Sequence, residues 1–193
     1  MTKIAFIRHG STSWNKEKRA QGSSDIPLDY DGKEEAVKLA DRLKDESWDL
    51  LYSSPLGRAK QTAEEISRRT HLKVHFDPRL REAGGGQIEG TTEQERVARW
   101  GEGWRSLDLG WEPRGSVIKR GVEFIEAMLD KHKGSNILVV SHGALIGHLL
   151  RELDKKEDLL HDDHMKNTSV SVVMHEGGSW TFNEYNCTKH LEG

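Results

Sequence analysis

Two histidines and two arginines each follow a short apolar run. Arg8-His9-Gly10 comes after Ile4–Ile7, Arg58 closes Ser54-Pro55-Leu56-Gly57-Arg58 after Asp49–Ser53, and His142-Gly143 comes after Asn136–Ser141. This set suits a phosphomonoester. A neutral imidazole nitrogen is a competent nucleophile, which points to His9. Arginines fork onto phosphoryl oxygens with paired, charge-assisted hydrogen bonds, a task for Arg8 and Arg58. Their positive charge also lowers a neighbouring imidazole pKa and so keeps His9 unprotonated. His142 can donate to phosphoryl oxygens in the transition state, and Asn15 adds a neutral donor. The leaving alkoxide needs a proton and the attacking water needs a base, work for one carboxyl group. Glu82, in Leu80-Arg81-Glu82-Ala83-Gly84-Gly85-Gly86, is the first candidate, with Glu89 and Asp77 as alternatives.

These residues reach one place only if the intervening chain folds to carry them. Ile4–Ile7 reads as a buried strand, and Ala36, Leu39, Ala40 and Leu43 mark a helical face whose start is expected at Asp31-Gly32. Asp49–Ser53 reads as a strand, Ala59, Thr62, Ala63 and Ile66 as a helix, and Leu72–Phe76 as a third strand. A long helix through Ile118, Val122, Ile125 and Leu129 ends near Gly134, Asn136–Ser141 is a strand, and Ala144–Leu153 is helical. Ser169–Met174 and Trp180–Glu184 flank Gly177-Gly178 as a closing pair. Alternating strands and helices predict an α/β fold of three layers, a mostly parallel sheet with helices on both faces. Ligands of such sheets bind beyond the carboxyl ends of the strands, where the histidines and arginines fall.

The same residues resemble the signature blocks of the histidine phosphatase superfamily, the phosphoglycerate-mutase-like group. The blocks are Arg8-His9-Gly10-Ser11-Thr12-Ser13-Trp14-Asn15; Gln21-Gly22 with Asp25, Pro27-Leu28 and Gly32; Ser53 to Ala63; Leu80-Arg81-Glu82 with Gly86 and Glu89-Gly90; and Val140-Ser141-His142-Gly143. The resemblance implies a phosphohistidine at His9, a phosphate clamp of Arg8 and Arg58, acid/base work for Glu82 and phosphate donation by His142. It places Asn15, Gln21, Gly22 and Gly143 around the substrate and implies no metal and no cofactor. Three positions depart from it: Ser11 stands where many relatives have Glu, Gly84-Gly85 replaces a bulkier pair, and Ile88 stands where phosphatase relatives often carry Trp. The short segment between Glu82 and His142, with the Ile88-Glu89-Gly90 ending, resembles the phosphatase branch more than a cofactor-dependent mutase. A non-catalytic phospho-ligand or protein-binding module is the remaining alternative; it would be signalled by loss of His9, Arg58 or Glu82, and all are present.

Bulk properties agree with a small phosphorylated substrate. The 193 residues carry a net charge of −3, so no basic excess marks a nucleic-acid binder. There is no apolar stretch of membrane-span length, and the single cysteine, Cys187, fits a reducing compartment, so a cytoplasmic protein is expected. One domain over 1–193 is expected, with 84–116 as acid loop and cap. Three glycines at 84–86 leave the acid loop backbone little restrained. Trp100 and Trp104, spaced i, i+4, are expected on one helix face, and with Trp111 they either pack locally or line the leaving-group pocket. His161-x-x-His164 with Asp162 and Asp163 reads as a solvated polar segment.

Overall fold

The computed structural model describes residues 1–154 and 164–192. Six strands form one sheet: β1 (Thr2–Arg8), β2 (Leu50–Ser53), β3 (Val74–Phe76), β4 (Asn136–Ser141), β5 (Val170–Glu176) and β6 (Ser179–Cys187), in the order β3-β2-β4-β1-β5-β6. The first four of that order run parallel; β5 runs antiparallel to β1 and pairs with β6 as a hairpin. Gly177 and Gly178 both take positive φ in its turn, the geometry that matches strand twist.

Period-two alternation divides the core. Ile4, Phe6, Ile137 and Val139 pack on one face beneath α5 (Arg114–Lys131) and α6 (Gly143–Leu153). Ala5, Ile7, Leu138 and Val140 pack on the other beneath α2 (Tyr30–Leu43) and α3 (Gly57–Thr70). A one-residue slip of β1 would turn every one of these side chains to the wrong layer. The three-layer α/β architecture expected from the sequence is the one observed. Among the described residues two short helices complete the set, α1 (Ser13–Lys16) and α4 (Glu93–Trp100). Among the described residues no helix is long and apolar enough to cross a membrane.

The boundaries differ from expectation for local reasons. The helix expected from Asp31-Gly32 begins at Tyr30, because the Asp29 carboxylate accepts from Gly32 N at 2.7 Å and caps it, a contact of about 1 kcal/mol. Trp100 and Trp104 do not share a helix: α4 ends at Gly101, whose φ of +83° turns the chain, and Trp104 opens a separate 3₁₀ turn. Gly121 lets α5 and α6 approach closely, since a Cβ there would lie 2.5 Å from a Leu149 methyl.

Candidate active site

Backbone ladder bonds continue past the strand ends and set the site. His9 N donates to Ser141 O at 3.0 Å and Ser54 N donates to Val140 O at 2.9 Å. Three segments thus leave β1, β2 and β4 in register, and His9, Arg58 and His142 come together beneath the surface, at 2 %, 0 % and 0 % exposure. The His9 and His142 ring centroids are 5.2 Å apart. Gly10 makes the first turn feasible: its missing Cβ would sit 2.5 Å from Gly32 O.

Hydrogen bonds define the His9 tautomer. Nδ1 lies 2.7 Å from Gly10 O, which can only accept, so Nδ1 carries the proton. Nε2 keeps its lone pair and accepts from Arg58 Nε at 3.3 Å. Burial, then the charges of Arg8 and Arg58, hold the His9 pKa well below the usual imidazole range. Burial likewise depresses His142, reinforced by Arg58 and His9. His142 Nε2 is 2.8 Å from Ser54 Oγ, while its Nδ1 is buried with no hydrogen-bond partner, an atom that a ligand oxygen can satisfy.

Both arginines are locked from behind. Arg58 Nη1 and Nη2 donate to Ser24 O and Gly22 O at 2.7 and 2.8 Å. Burial pushes its pKa down to about 10, still far above neutrality, so the charge remains. Arg8 Nη1 donates to Met165 O, its Nε is buried without a partner, and Gly143 leaves room for it: a Cβ there would be 3.4 Å from that Nε.

The expected substrate-lining residues come together with them. Asn15, Gln21, Gly22 and Gly143 all line a cleft of about 910 Å³ together with Arg8 and Glu82, whereas the buried His9, Arg58 and His142 are not among its lining residues. Asn15 Oδ1 accepts from Thr12 N at 3.1 Å, and the single Thr12 hydroxyl proton is shared between Asn15 Oδ1 at 3.0 Å and Gln21 Oε1 at 2.9 Å, so both amide oxygens face Thr12. Asn167, which sequence reading missed, donates to His9 O at 3.0 Å and to Asn15 Oδ1 at 3.3 Å. It stands alone in a polar stretch with no motif around it, and nothing in the sequence marks it.

The three candidate acids separate by their contacts. Asp77 caps its own turn through Arg79 N at 2.9 Å and pairs with Arg79 Nη2 at 2.6 Å. Glu89 is a bracket: it accepts from Gly85 N, Ser23 N and Ser24 N at 2.8, 2.8 and 3.0 Å, joining the Gly22 loop to the acid loop. Gly22 has φ +50°, and a Cβ there would strike Glu89 Oε1 at 2.1 Å. Glu82 lines the cleft, with its carboxylate at the N-terminus of α6, accepting from Ala144 N and Leu145 N, each at 3.1 Å. His142, the N-cap residue of that helix, makes no side-chain cap bond.

The tryptophans divide. Trp111 lines the cleft with Trp14. Trp104 is buried at 4 % exposure; its Nε1 donates to Glu93 at 2.9 Å, and the Arg96 and Arg105 guanidinium groups lie over its ring at 5.0 and 4.3 Å. Both arginines also face the cleft. Trp100 does not line it and carries Arg99 over its ring. His161, Asp162 and Asp163 lie outside the described residues; His164 lies at the cleft rim. No three His, Cys, Asp or Glu side chains among the described residues are grouped to hold a metal ion.

The family model of the histidine phosphatase superfamily, branch 1, matches residues 4–188. The chain belongs to this superfamily. A phosphohistidine mechanism is general for the superfamily, and the matched span takes in His9, Arg58, Glu82 and His142. Among superfamily relatives, the uncharacterized phosphatase PhoE of Bacillus subtilis is 31 % identical over 100 % of this chain and 98 % of its own length. Phosphoglycerate mutase-like protein 4 of Arabidopsis thaliana is 33 % identical over 98 % of this chain and 86 % of its own. A crystal structure of a phosphoserine phosphatase from Entamoeba histolytica in complex with 3-phosphoglyceric acid superposes with a TM-score of 0.84 at 30 % identity, covering 99 % of this chain and 100 % of that one.

Proposed function

We propose that this member of the superfamily is a metal-independent phosphomonoester hydrolase working through a phosphohistidine at His9. The observation that carries the reading is the pairing at His9: Nδ1 is spent on Gly10 O, and Nε2 presents a lone pair beside the Arg58 guanidinium. In this reading Nε2 attacks phosphorus, the ester P–O bond breaks, and Glu82 gives its proton to the departing alkoxide. Glu82 then takes a proton from water as that water attacks phosphorus and the P–N bond breaks. Inorganic phosphate leaves, with His9 neutral and Glu82 protonated again. Arg8, Arg58 and His142 meet the phosphoryl charge with preorganised donors, and Asn15, Gln21, Gly22 and Gly143 surround the substrate. No cofactor is required.

Residues 1–193 work as one unit in this scheme, with 84–116 as acid loop and cap. Lys18 and Arg151 line the cleft without an ion pair among the described residues, whereas Arg19 is paired with Glu17 and Glu95, and Arg105 with Glu93. An alcohol carrying its own negative charge, such as a phosphorylated hydroxy acid, gains most there. The single cysteine fits a cytoplasmic setting. The mutase-like Arabidopsis relative supports a second reading, return of the phosphoryl group to another hydroxyl.

Phosphate release from a panel of phosphomonoesters, with a phosphoglycerate mutase assay alongside, tests the choice. Hydrolysis exceeding transfer is the expected result; transfer without net phosphate release overturns it.

A further inference from the structure

Arg120 lies on α5, outside the cleft lining, yet three of its five N–H donors are directed at the segment that carries Glu82 and the other two at Glu112. Nε donates to Glu112 Oε1 at 2.9 Å, and Nη2 donates to Glu112 Oε2 at 2.9 Å and to Glu82 O at 3.1 Å. Nη1 donates to Arg79 O and Arg81 O, each at 2.6 Å. A guanidinium has five N–H donors, and all are accounted for. Glu112 continues the hold past Glu82: its Oε2 accepts from Gly84 N at 3.2 Å, and its own N donates to Gly84 O at 2.8 Å.

The backbone up to Glu82 is thus fastened to α5 through Arg120, and the backbone just after it to Glu112, which Arg120 grips in turn, while the Glu82 carboxylate is held by the first amides of α6. Gly121, next in sequence to Arg120, sets the spacing of those two helices against Leu149. Glu82 is suspended between two anchors whose separation is fixed by helix packing. Glycine supplies no such restraint at 84–86, so something outside the loop must: Glu112 holds Gly84, and Arg120 holds Glu112.

We infer that Arg120 is a positioning residue for proton transfer by Glu82. The inference rests on the hydrolase reading above. Lysine cannot replace it, since an ammonium can neither fork onto a carboxylate nor reach three carbonyls in one plane.

The test uses two esters and the full chain. An alkyl phosphate needs its leaving oxygen protonated; nitrophenyl phosphate needs little help. In Arg120→Lys the ratio of alkyl to nitrophenyl kcat/KM, which reports only events up to release of the alcohol and not the later hydrolysis of the shared phosphohistidine, should fall by roughly 10-fold to 10²-fold, the scale of a small misplacement of a catalytic group. In a Glu82→Gln background the same change should leave that ratio where Glu82→Gln alone put it, because both act through one proton. Glu112→Gln, a milder change, should move the ratio in the same direction and covers the case in which Arg120→Lys fails to fold. Equal slowing of both esters in Arg120→Lys and Glu112→Gln, or full additivity with Glu82→Gln, overturns the inference and leaves the hydrolase reading standing. No hydrolysis of either ester by the unaltered chain overturns that reading itself.

Discussion

Arg58 Nε stands 3.3 Å from His9 Nε2 and donates to it, while the two outer nitrogens of the same guanidinium are tied to Ser24 O and Gly22 O. One buried cation therefore orients the His9 ring, adds to the burial that keeps it neutral and holds the loop that bears Gln21 and Gly22.

Arg58→Ala should lower turnover by on the order of 10²–10³, the scale for removing one charge-stabilising donor. Arg58→Lys should recover only part of it, since an ammonium cannot reproduce the fork. Steady-state rates on one good substrate suffice, and wild-type turnover in the Lys variant would show that the fork geometry is unimportant.

The depressed histidines predict an acid-sensitive fold. His9 and His142 remain neutral when folded, below the pH at which an unfolded histidine, titrating near roughly 6.5, takes a proton. The unfolded chain then binds more protons, so stability is fully present above about pH 6.5 and falls as the solution is acidified. Each of these two histidines contributes up to about 1.4 kcal/mol per pH unit until its folded pKa is reached. His190, pushed down by burial to about 4, and His148, pushed down by burial, act in the same sense. Glu35, pushed up by burial, opposes them at the lower end. Denaturant unfolding at pH 7 and 5.5 should show the loss, and His142→Asn should flatten the slope. A stability independent of pH across this interval contradicts the assignment.

Much of this was legible in the sequence, and the reason differs from part to part. The unbroken apolar runs Ile4–Ile7 and Ile137–Val140 marked buried strands, because with a side-chain period of two a strand covered on both faces needs an apolar residue at every position. His9, Arg58 and His142 were legible because each comes just after a strand, and parallel strands deliver the residues at their carboxyl ends to one edge. Asn167 and Arg120 were not, since their roles come from contacts with backbone carbonyls far along the chain, which leave no pattern in residue type. The pairing of Trp100 with Trp104 failed at Gly101: i, i+4 spacing has meaning only while the helix continues. The Gly84–Gly86 run, legible only as freedom, is held in place by Glu112 and Glu89 and by the close approach of Leu109 O to Gly86.

Leaving-group chemistry separates Glu82 from Glu89. Glu82→Gln keeps the shape and removes the proton, so it should lower kcat/KM, which reports the step that expels the alcohol, far more for alkyl phosphates than for nitrophenyl phosphate, within the roughly 10²–10⁴ range of general acid catalysis. Glu89→Gln weakens charge-assisted bonds from Gly85, Ser23 and Ser24, so it should lower stability by about 1.5–3 kcal/mol with no leaving-group preference. A selective loss in Glu89→Gln would transfer the acid role to that residue.

In the proposed mechanism charge on the phosphoryl group is met by Arg8, Arg58 and His142, so prolonged treatment with chelator should leave the rate nearly unchanged. A full loss restored by zinc or magnesium would replace the proposed mechanism with metal-assisted hydrolysis and draw attention to His161 and His164.

The central claim is a phosphorus–nitrogen bond at His9, and rapid quenching with labelled substrate tests it most directly. Brief incubation followed by an acid-free quench should leave label on the protein, labile to acid and stable to alkali, with peptide mapping placing it on His9. His9→Ala should lose both label and turnover. Label retained in His9→Ala, or turnover with no trapped label in the unaltered protein, would contradict the account.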